Sequence, residues 1–255
     1  DVYLTIDKNL QVAIYNILEQ KIAGIIVSKT QNIFNYDPST APSRSKIIIP
    51  IDNVYFALFD NNVLNMEHFK AQDAEATEQA VYQIYLDKQA QVLHTLQEEL
   101  LNKKTPYDQL SKEYKNYQSY IVSMLTKQGV LNSAAIDTED TTYLAWTRDE
   151  TISLNAYLNY AIAMNWIDIT KLSVDSQYSD STEVLNSMID FILEKLQNNQ
   201  EFSKWIYKFM ISSQTITGRQ ICMLLWEQGL ITVEESKIDA LRNGNTSAYN
   251  FMLEM

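Results

Sequence analysis

Turn-forming residues are scarce in this chain, and that scarcity restricts its fold more than any other feature. Its 255 residues include only 5 glycines and 4 prolines, and no proline follows Pro106. β-Sandwiches and barrels need turn residues about every 8–12 positions, so the composition excludes an all-β fold. Because 46% of the residues are hydrophobic, the chain can bury a sizeable core. We expect an all-α protein, an irregular multi-helix bundle of about nine or ten helices with a short N-terminal strand.

The clearest helix signal is an apolar stripe over residues 183–197. Apolar side chains there repeat at i, i+1, i+4, i+5, i+8, i+9 and i+12, which is typical of a helix with one buried face. Ser181 and Thr182 are both credible N-caps for this helix. Ile189 and Leu193 lie in the stripe, and we expect both to be core residues.

Proline and glycine mark other helix boundaries. Thr105-Pro106 predicts a helix start, because proline fits the first helical position. Gly129 predicts the left-handed residue that ends this helix, and Gly229 and Gly244 are expected to end two later helices. The predicted helices run from Asp7 to Ile26, Asp52 to Asn61, about Lys70 to Leu101, Pro106 to Gly129, and over 150–164, 183–197, 200–212, 217–228, 234–243 and 246–255.

The first fifty residues have a different character from the rest. Residues 1–7 alternate β-forming side chains, which predicts a short strand over residues 2–6 and a helix capped by Asp7. Three of the four prolines fall between Pro38 and Pro50, so residues 34–50 are expected to form a Pro/Ser loop.

One internal similarity joins two distant segments. Residues 125–131 (LTKQGVL) resemble residues 225–231 (LWEQGLI). Both predict a helix that ends at a glycine, followed by an apolar pair that covers its last turn. Convergent capping chemistry and a duplication of helical hairpins both explain this likeness.

The charge of the chain limits the classes of partner that it can bind. Its formal net charge is −12, and it contains no sustained basic cluster, which argues against nucleic-acid binding. An anionic membrane surface would also repel such a chain. No apolar run approaches the roughly 18 residues of a membrane helix, so we expect no membrane insertion of this segment.

Side chains that carry out chemistry are few, and their pattern predicts no catalytic, cofactor-binding or metal-binding residue. His68 and His94 are 26 positions apart in the sequence, and no cysteine pair lies near either. The lone Cys222 lies in an apolar run, where a thiol behaves as a small buried hydrophobe. No glycine-rich phosphate-binding motif occurs. Four acidic pairs are expected to be helix-end or surface residues: Glu98-Glu99, Glu139-Asp140, Asp149-Glu150 and Glu234-Glu235.

Tyrosine is abundant, with sixteen residues, and its positions leave two interpretations open. Tyr107, Tyr114, Tyr117 and Tyr120 fall on or near one face of a predicted helix. A tyrosine stripe of this kind suits half-buried helix packing, and it equally suits a protein interface, because the ring buries area at low entropy cost.

The opening residues resemble a known family. Asp1-Val2-Tyr3-Leu4-Thr5-Ile6-Asp7, followed by Leu10-Gln11, looks like the start of the transpeptidase domain of class B penicillin-binding proteins. In that family a strand of the form v-x-L-T-I-D leads into a helix that begins x-x-L-Q. The later sequence is similar to a long helical insertion in large clostridial penicillin-binding proteins. This likeness is carried by stretches such as residues 49–58 (IPIDNVYFAL) and 165–169 (NWIDI).

The catalytic motifs of that family are not convincingly present. Its chemistry uses S-x-x-K, S-x-N and K-T-G motifs. Ser43-Arg44-Ser45-Lys46 matches the first motif but lies in the Pro/Ser loop, whereas the nucleophile must begin a buried helix. Ser153-Leu154-Asn155 matches the second but lies in a predicted helix, and no K-T-G exists because Ile216 precedes Thr217-Gly218. We interpret these short strings as coincidences.

The resemblance implies a division of the chain and a role for it. Residues 1–33 would begin a transpeptidase domain, 34–50 would form the loop, and 51–255 would be a helical insertion or accessory domain. The chain begins without an initiator methionine and stops within an apparent helix, so we expect a segment of a longer protein. That parent would be a membrane-anchored, extracytoplasmic D,D-transpeptidase that cross-links peptidoglycan.

The expected role is therefore non-catalytic, either spacing the enzyme or binding protein partners from the cell-wall synthesis machinery. The alternative is a free-standing helical interaction or effector protein that is unrelated to the cell wall.

Overall fold

The protein is all-α, as the composition predicts. A computed structural model describes residues 8–174 and 180–254. The predicted strand over residues 2–6 and its helix cap Asp7 lie outside these ranges. The described chain contains eleven α-helices: α1 (Lys8–Lys29), α2 (Ile51–Asp60), α3 (Ala76–Glu98), α4 (Lys112–Lys127), α5 (Thr141–Thr147), α6 (Leu154–Ala163), α7 (Ser181–Gln197), α8 (Gln200–Ser212), α9 (Gly218–Glu227), α10 (Glu235–Arg242) and α11 (Ala248–Glu254).

The chain divides into two compact units. Unit 1 comprises residues 1–82 and 210–255, and unit 2 comprises residues 83–209. The division falls within α3 and within α8. The boundaries expected after residues 33 and 50 describe a parent protein and stay a prediction.

Unit 1 contains α1, α2 and α9 to α11, together with two short strands that the sequence did not predict. The strands β1 (Thr30–Gln31) and β2 (Ile49–Pro50) pair in parallel, with Thr30 opposite Ile49. α9 and α10 both contact α11. A core cluster fills the space among these helices and consists of Cys222, Met223, Ile238, Leu241 and Phe251.

Unit 2 contains most of α3 and α8 and all of α4 to α7. α6 packs against both α5 and α7. The stripe of α7 is largely buried, as predicted, and Ile189 is only 1% exposed. Leu193 was expected in the core but is half-buried, because it lies at the border of the stripe.

The start of α4 differs from the prediction. Pro106 is extended (φ −53°, ψ 144°) and precedes a single 3₁₀ turn. The backbone N–H of Tyr107 donates to the Ile152 carbonyl at 3.0 Å, so a tertiary contact holds this stretch outside the helix. α4 begins at Lys112, six residues after Pro106, with Ser111 as its N-cap.

Other helix boundaries also differ from the prediction. The N-cap of α7 is Asp180 rather than Ser181 or Thr182, and it forms a capping box with Glu183. α3 begins at Ala76 instead of Lys70, and it ends in a π-helical turn over 99–103. α5 was not predicted at all.

The predicted glycine helix ends are confirmed. Gly129, Gly229 and Gly244 all have positive φ, at 72°, 66° and 75°. In the two segments that resemble each other, the backbone N–H of Val130 donates to the Leu125 carbonyl, and that of Leu230 donates to the Leu225 carbonyl, each at 2.9 Å. The similarity is therefore a shared helix-capping geometry.

Candidate interaction surface

Helix α1 is apolar, and none of its residues is buried. Ten of its large apolar side chains are between 41% and 61% exposed. These side chains are Leu10, Val12, Ile14, Tyr15, Ile17, Leu18, Ile22, Ile25, Ile26 and Val27. A helix owes most of its stability to packing of its apolar face, and the described chain supplies no such packing for α1. The helix therefore presents an apolar surface that fits a further macromolecule.

By length and composition, α1 is long and apolar enough to cross a membrane, the one helix of the described ranges that is. The sequence expectation that no stretch reaches this length was therefore wrong. Glu19 and Lys21 lie near the middle of the helix, and each costs about 2.5–3.5 kcal/mol at the centre of a bilayer on insertion scales. Tyr15 donates a hydrogen bond to Glu19 at 2.9 Å, which raises the pKa of the tyrosine. These polar groups favour a protein cover over a lipid one.

A buried polar network holds the start of α3 to the end of α9 within unit 1. The side chain of Glu78 is completely buried. It accepts hydrogen bonds from Gln228 Nε2 at 2.7 Å and from the Glu75 backbone N–H at 2.8 Å. His68 Nδ1 lies 2.8 Å from the same carboxylate, and Asp73 lies 3.7 Å from His68 Nε2.

The network raises the pKa of His68 and lowers the pKa of Glu78. Hydrogen bonding to Glu78 raises the pKa of His68, and the charge of Asp73 adds to the effect. Burial by itself would raise the pKa of Glu78. The hydrogen bonds from Gln228, the Glu75 N–H and His68 outweigh that effect, and the pKa lies below its ordinary value.

Gln228 also makes a paired backbone contact. Its side-chain amide accepts from the Asn65 N–H at 2.9 Å and donates to the Asn65 carbonyl at 3.0 Å. Next to it, Glu227 accepts from the Thr77 hydroxyl at 2.6 Å. The acidic and amide groups of this region thus help to fix the fold of unit 1.

The first catalytic-motif string does not form a site. Arg44–Lys46 is one 3₁₀ turn, and Ser43, which precedes it, has an extended backbone. The nucleophile of a transpeptidase needs a buried helix start that turns its lysine towards the serine. Ser43 is exposed and lies in an irregular segment, which supports the interpretation of this string as a coincidence.

The second string has a structural role. Ser153 lies at the start of α6, where its side chain accepts from the Ala156 backbone N–H as an N-cap. Asn155 is buried, and its side-chain amide donates to the Leu100 carbonyl at 2.6 Å. The helix was predicted to begin near residue 150, but it begins at Leu154, about one turn later. Ser153 is therefore outside the helix, and Leu154 and Asn155 are in its first turn. Thr217 likewise caps α9 in a capping box with Gln220.

The other chemically interesting residues also have structural roles. Burial raises the pKa of the Cys222 thiol to about 12, so the thiolate needed for a nucleophile is absent at neutral pH. His94 is exposed, and the described residues contain no group of three or more potential metal ligands.

In each acidic pair, at least one carboxylate has a partner that stabilises the fold. Glu99 accepts from the Thr105 N–H, and Asp140 caps α5. Glu150 pairs with Lys115 at 2.9 Å, and Glu235 lies 3.3 Å from Arg242.

The tyrosine stripe packs inside unit 2. Tyr117 is completely buried against Phe202, with ring centroids 5.2 Å apart. Tyr120 donates to Asn199 Oδ1 at 2.7 Å, and Tyr107 donates to the Lys115 carbonyl at 3.0 Å. Because these hydroxyls and rings have partners within the unit, the packing interpretation is favoured over an interface.

Comparison with known proteins adds no further constraint. No protein-family model matches the sequence. No match is found among curated proteins or among solved structures. The family resemblance of the opening residues stays a hypothesis.

Proposed function

We propose that this chain is a non-catalytic helical accessory domain inserted in a penicillin-binding protein that cross-links peptidoglycan. Its role is to bind protein partners or to space the enzyme. The transpeptidase serine of this parent lies outside residues 1–255. The proposal rests on one observation above all, which is that no residue of the apolar helix α1 is buried.

An exposed apolar helix is expected when part of its own domain is missing. The alternating residues 1–7 directly precede α1 in the sequence and are of the type that enters a sheet. A helix following such a strand buries its apolar side against the sheet in mixed folds. In the parent protein the host domain would supply that sheet and cover the ten exposed side chains.

A contact within unit 1 also supports an insertion. Tyr249, in α11, donates a hydrogen bond to the carbonyl of Thr30 at 2.9 Å, directly after α1. A domain inserted into a folded host must leave and re-enter it at neighbouring points, and domain termini are often close together. The end of α1 and the last described helix meet as this arrangement requires.

Penicillin labelling of the native protein tests the proposal. The protein would be captured from its native membranes with an antibody against residues 51–255. It would then be treated with a fluorescent penicillin, digested and analysed by mass spectrometry. We expect one acylated serine, on a peptide outside residues 1–255 of the same polypeptide, with Ser43 unmodified.

Two results would contradict this expectation. An adduct on Ser43 would show that the chain carries the nucleophile itself, and the non-catalytic role would be wrong. A captured polypeptide that binds no penicillin would favour the free-standing helical interaction protein. The chain of residues 1–255, treated in the same way, is the matched control and should remain unlabelled.

A further inference from the structure

The segment between α9 and α10 alternates half-buried and exposed side chains. After Gly229 ends α9, the chain bends at Leu230 and Ile231 and then reaches the N-cap Glu234, whose backbone is extended. Ile231 and Val233 pack against the core cluster of unit 1. Leu230 (44% exposed) and Thr232 alternate with them and are exposed. This alternation is that of a strand with one face on a core.

Beyond Leu230, whose N–H donates to the Leu225 carbonyl, the backbone of this segment has no partner among the described residues. Within the described part of the chain, the N–H and C=O groups of Ile231, Thr232 and Val233 make no hydrogen bond. An unpaired strand edge of this kind is a template for another extended chain. We call residues 231–233 the open edge.

In unit 2, two segments that follow helix ends have their backbone groups paired. These segments are residues 129–132 and 165–168, and each begins with a left-handed residue at the end of a helix. They pair through an antiparallel bridge between Leu131 and Ile167. The Asn132 N–H donates to the Trp166 carbonyl, and the Asp168 N–H donates to the Val130 carbonyl, each at 2.8 Å. The open edge also follows a left-handed residue at a helix end, Gly229, but no second segment pairs with it within the described residues.

A groove of about 630 Å³ runs beside the open edge. Its walls include Phe251, Lys237 and three glutamates, at positions 234, 235 and 254. Lys237 pairs with Glu254 at 2.8 Å, and Glu235 lies 3.3 Å from Arg242. Glu234 has no ion-pair partner among the described residues, so its carboxylate is available at the mouth of the groove.

We propose that the open edge binds an extended peptide segment of another protein by strand addition. The partner segment has apolar residues that alternate with basic ones, and one basic side chain pairs with Glu234. Backbone hydrogen bonds to residues 231–233 supply affinity, and the acidic groove selects a cationic sequence. A second copy of this chain is disfavoured, because a symmetric pairing would bring two acidic rims together.

This inference goes beyond the proposed function. α1 does not line the groove, and no step of the argument depends on a penicillin-binding parent. The open edge would bind its partner equally in a free-standing helical protein.

The test uses the peptide acetyl-Lys-Val-Lys-Val-Lys-Val-amide as the probe. We expect the peptide to bind saturably and to protect the amides of residues 231–233 from hydrogen exchange, measured by NMR. Glu234→Lys should weaken binding about fivefold, in line with one exposed ion pair. Glu234 makes no side-chain capping bond, so this change removes no cap from α10, and circular dichroism of the variant checks that the helix is retained. Glu139→Lys, which reverses an exposed charge in unit 2, is the matched control and should leave the affinity unchanged.

A peptide with N-methylated valines separates strand addition from simple charge attraction. Loss of binding by this peptide supports the proposal, whereas equal binding overturns it. Absence of amide protection at residues 231–233 also overturns it. Protection that appears without peptide and grows with protein concentration would show that a second copy occupies the edge, which contradicts the partner proposed here.

Discussion

Helices α1 and α7 are both rich in apolar side chains but have opposite environments. Ile17 in α1 is 57% exposed, whereas Ile189 in α7 is 1% exposed. α7 contacts α6 within unit 2, and its stripe contributes six buried side chains. α1 contributes none. Periodicity therefore identifies which side of a helix is apolar, and it does not identify what covers that side.

The two helices differ in energetic consequence as well. Full burial of a leucine or isoleucine side chain stabilises a fold by about 1.5–3 kcal/mol, so the stripe of α7 is a major part of the stability of unit 2. The apolar side chains of α1 contribute little to the stability of the described chain. Any contribution that they make must come from contact with another surface.

The largest expected effect is that of truncating Ile189. Ile189→Ala should lower the free energy of unfolding by about 2–5 kcal/mol, because it leaves a cavity in a packed core. Leu193→Ala should cost less, since Leu193 is half-buried. Urea denaturation followed by circular dichroism measures both.

Ile17→Ala is the matched control for this comparison. The same change in the exposed helix α1 should alter the free energy of unfolding by less than about 0.5 kcal/mol. A large loss for Ile17→Ala would mean that α1 packs against the chain in solution, and the comparison between the two helices would fail.

A smaller effect is expected at the start of α7. Asp180 accepts hydrogen bonds from the backbone N–H groups of Thr182 and Glu183 at 2.8 and 2.9 Å. Asp180→Ala removes this cap and should cost about 1 kcal/mol. Asp180→Asn retains the acceptor and should cost clearly less. If both variants matched the wild type, the stripe alone would hold α7 in place, which would sharpen the contrast with α1.

The smallest effect concerns unit 1, which contains α1 but is fixed by its own polar network. Because Glu78 raises the pKa of His68, the folded chain binds that proton more tightly than the unfolded chain. The contribution is complete below the ordinary histidine pKa of about 6.5 and is lost as the pH rises through the higher folded value. Stability should therefore fall modestly between pH 6 and pH 8, as measured by urea denaturation.

His68→Gln is the control for the pH effect. Glutamine can still donate to Glu78 but does not titrate, so the difference in stability between pH 6 and pH 8 should shrink. Glu78 acts in the opposite sense at acid pH. Its pKa is lowered, so its contribution is present above about 4.5 and is lost as the pH falls. An unchanged pH profile in His68→Gln would assign the dependence to other groups.

Local sequence signals located most of the helices. Helix α8 begins and ends where the pattern predicted, at Gln200 and Ser212. Gly129 and Gly229 ended their helices because a left-handed residue at that position favours glycine. These features depend on neighbours within a few positions, and such neighbours are visible in the sequence.

Other features depended on residues far apart in the chain. The start of α4 moved because the backbone of Tyr107 pairs with Ile152. The parallel pair of β1 and β2 joins residues 30 and 49 across a proline-rich loop. The network around Glu78 requires Gln228, which is 150 residues away. A sequence pattern carries no information on such pairings.

The properties of the candidate surfaces also fall into those that follow from the sequence and those that follow from tertiary contacts. The sequence by itself determined that the chain is all-α and acidic, because these properties follow from composition. Only the tertiary structure decided that α7 is covered while α1 is exposed, and that the backbone of residues 231–233 has no partner within the described chain. Burial and backbone pairing are properties of what approaches a segment in space, and the residues of the segment specify only what it could accept.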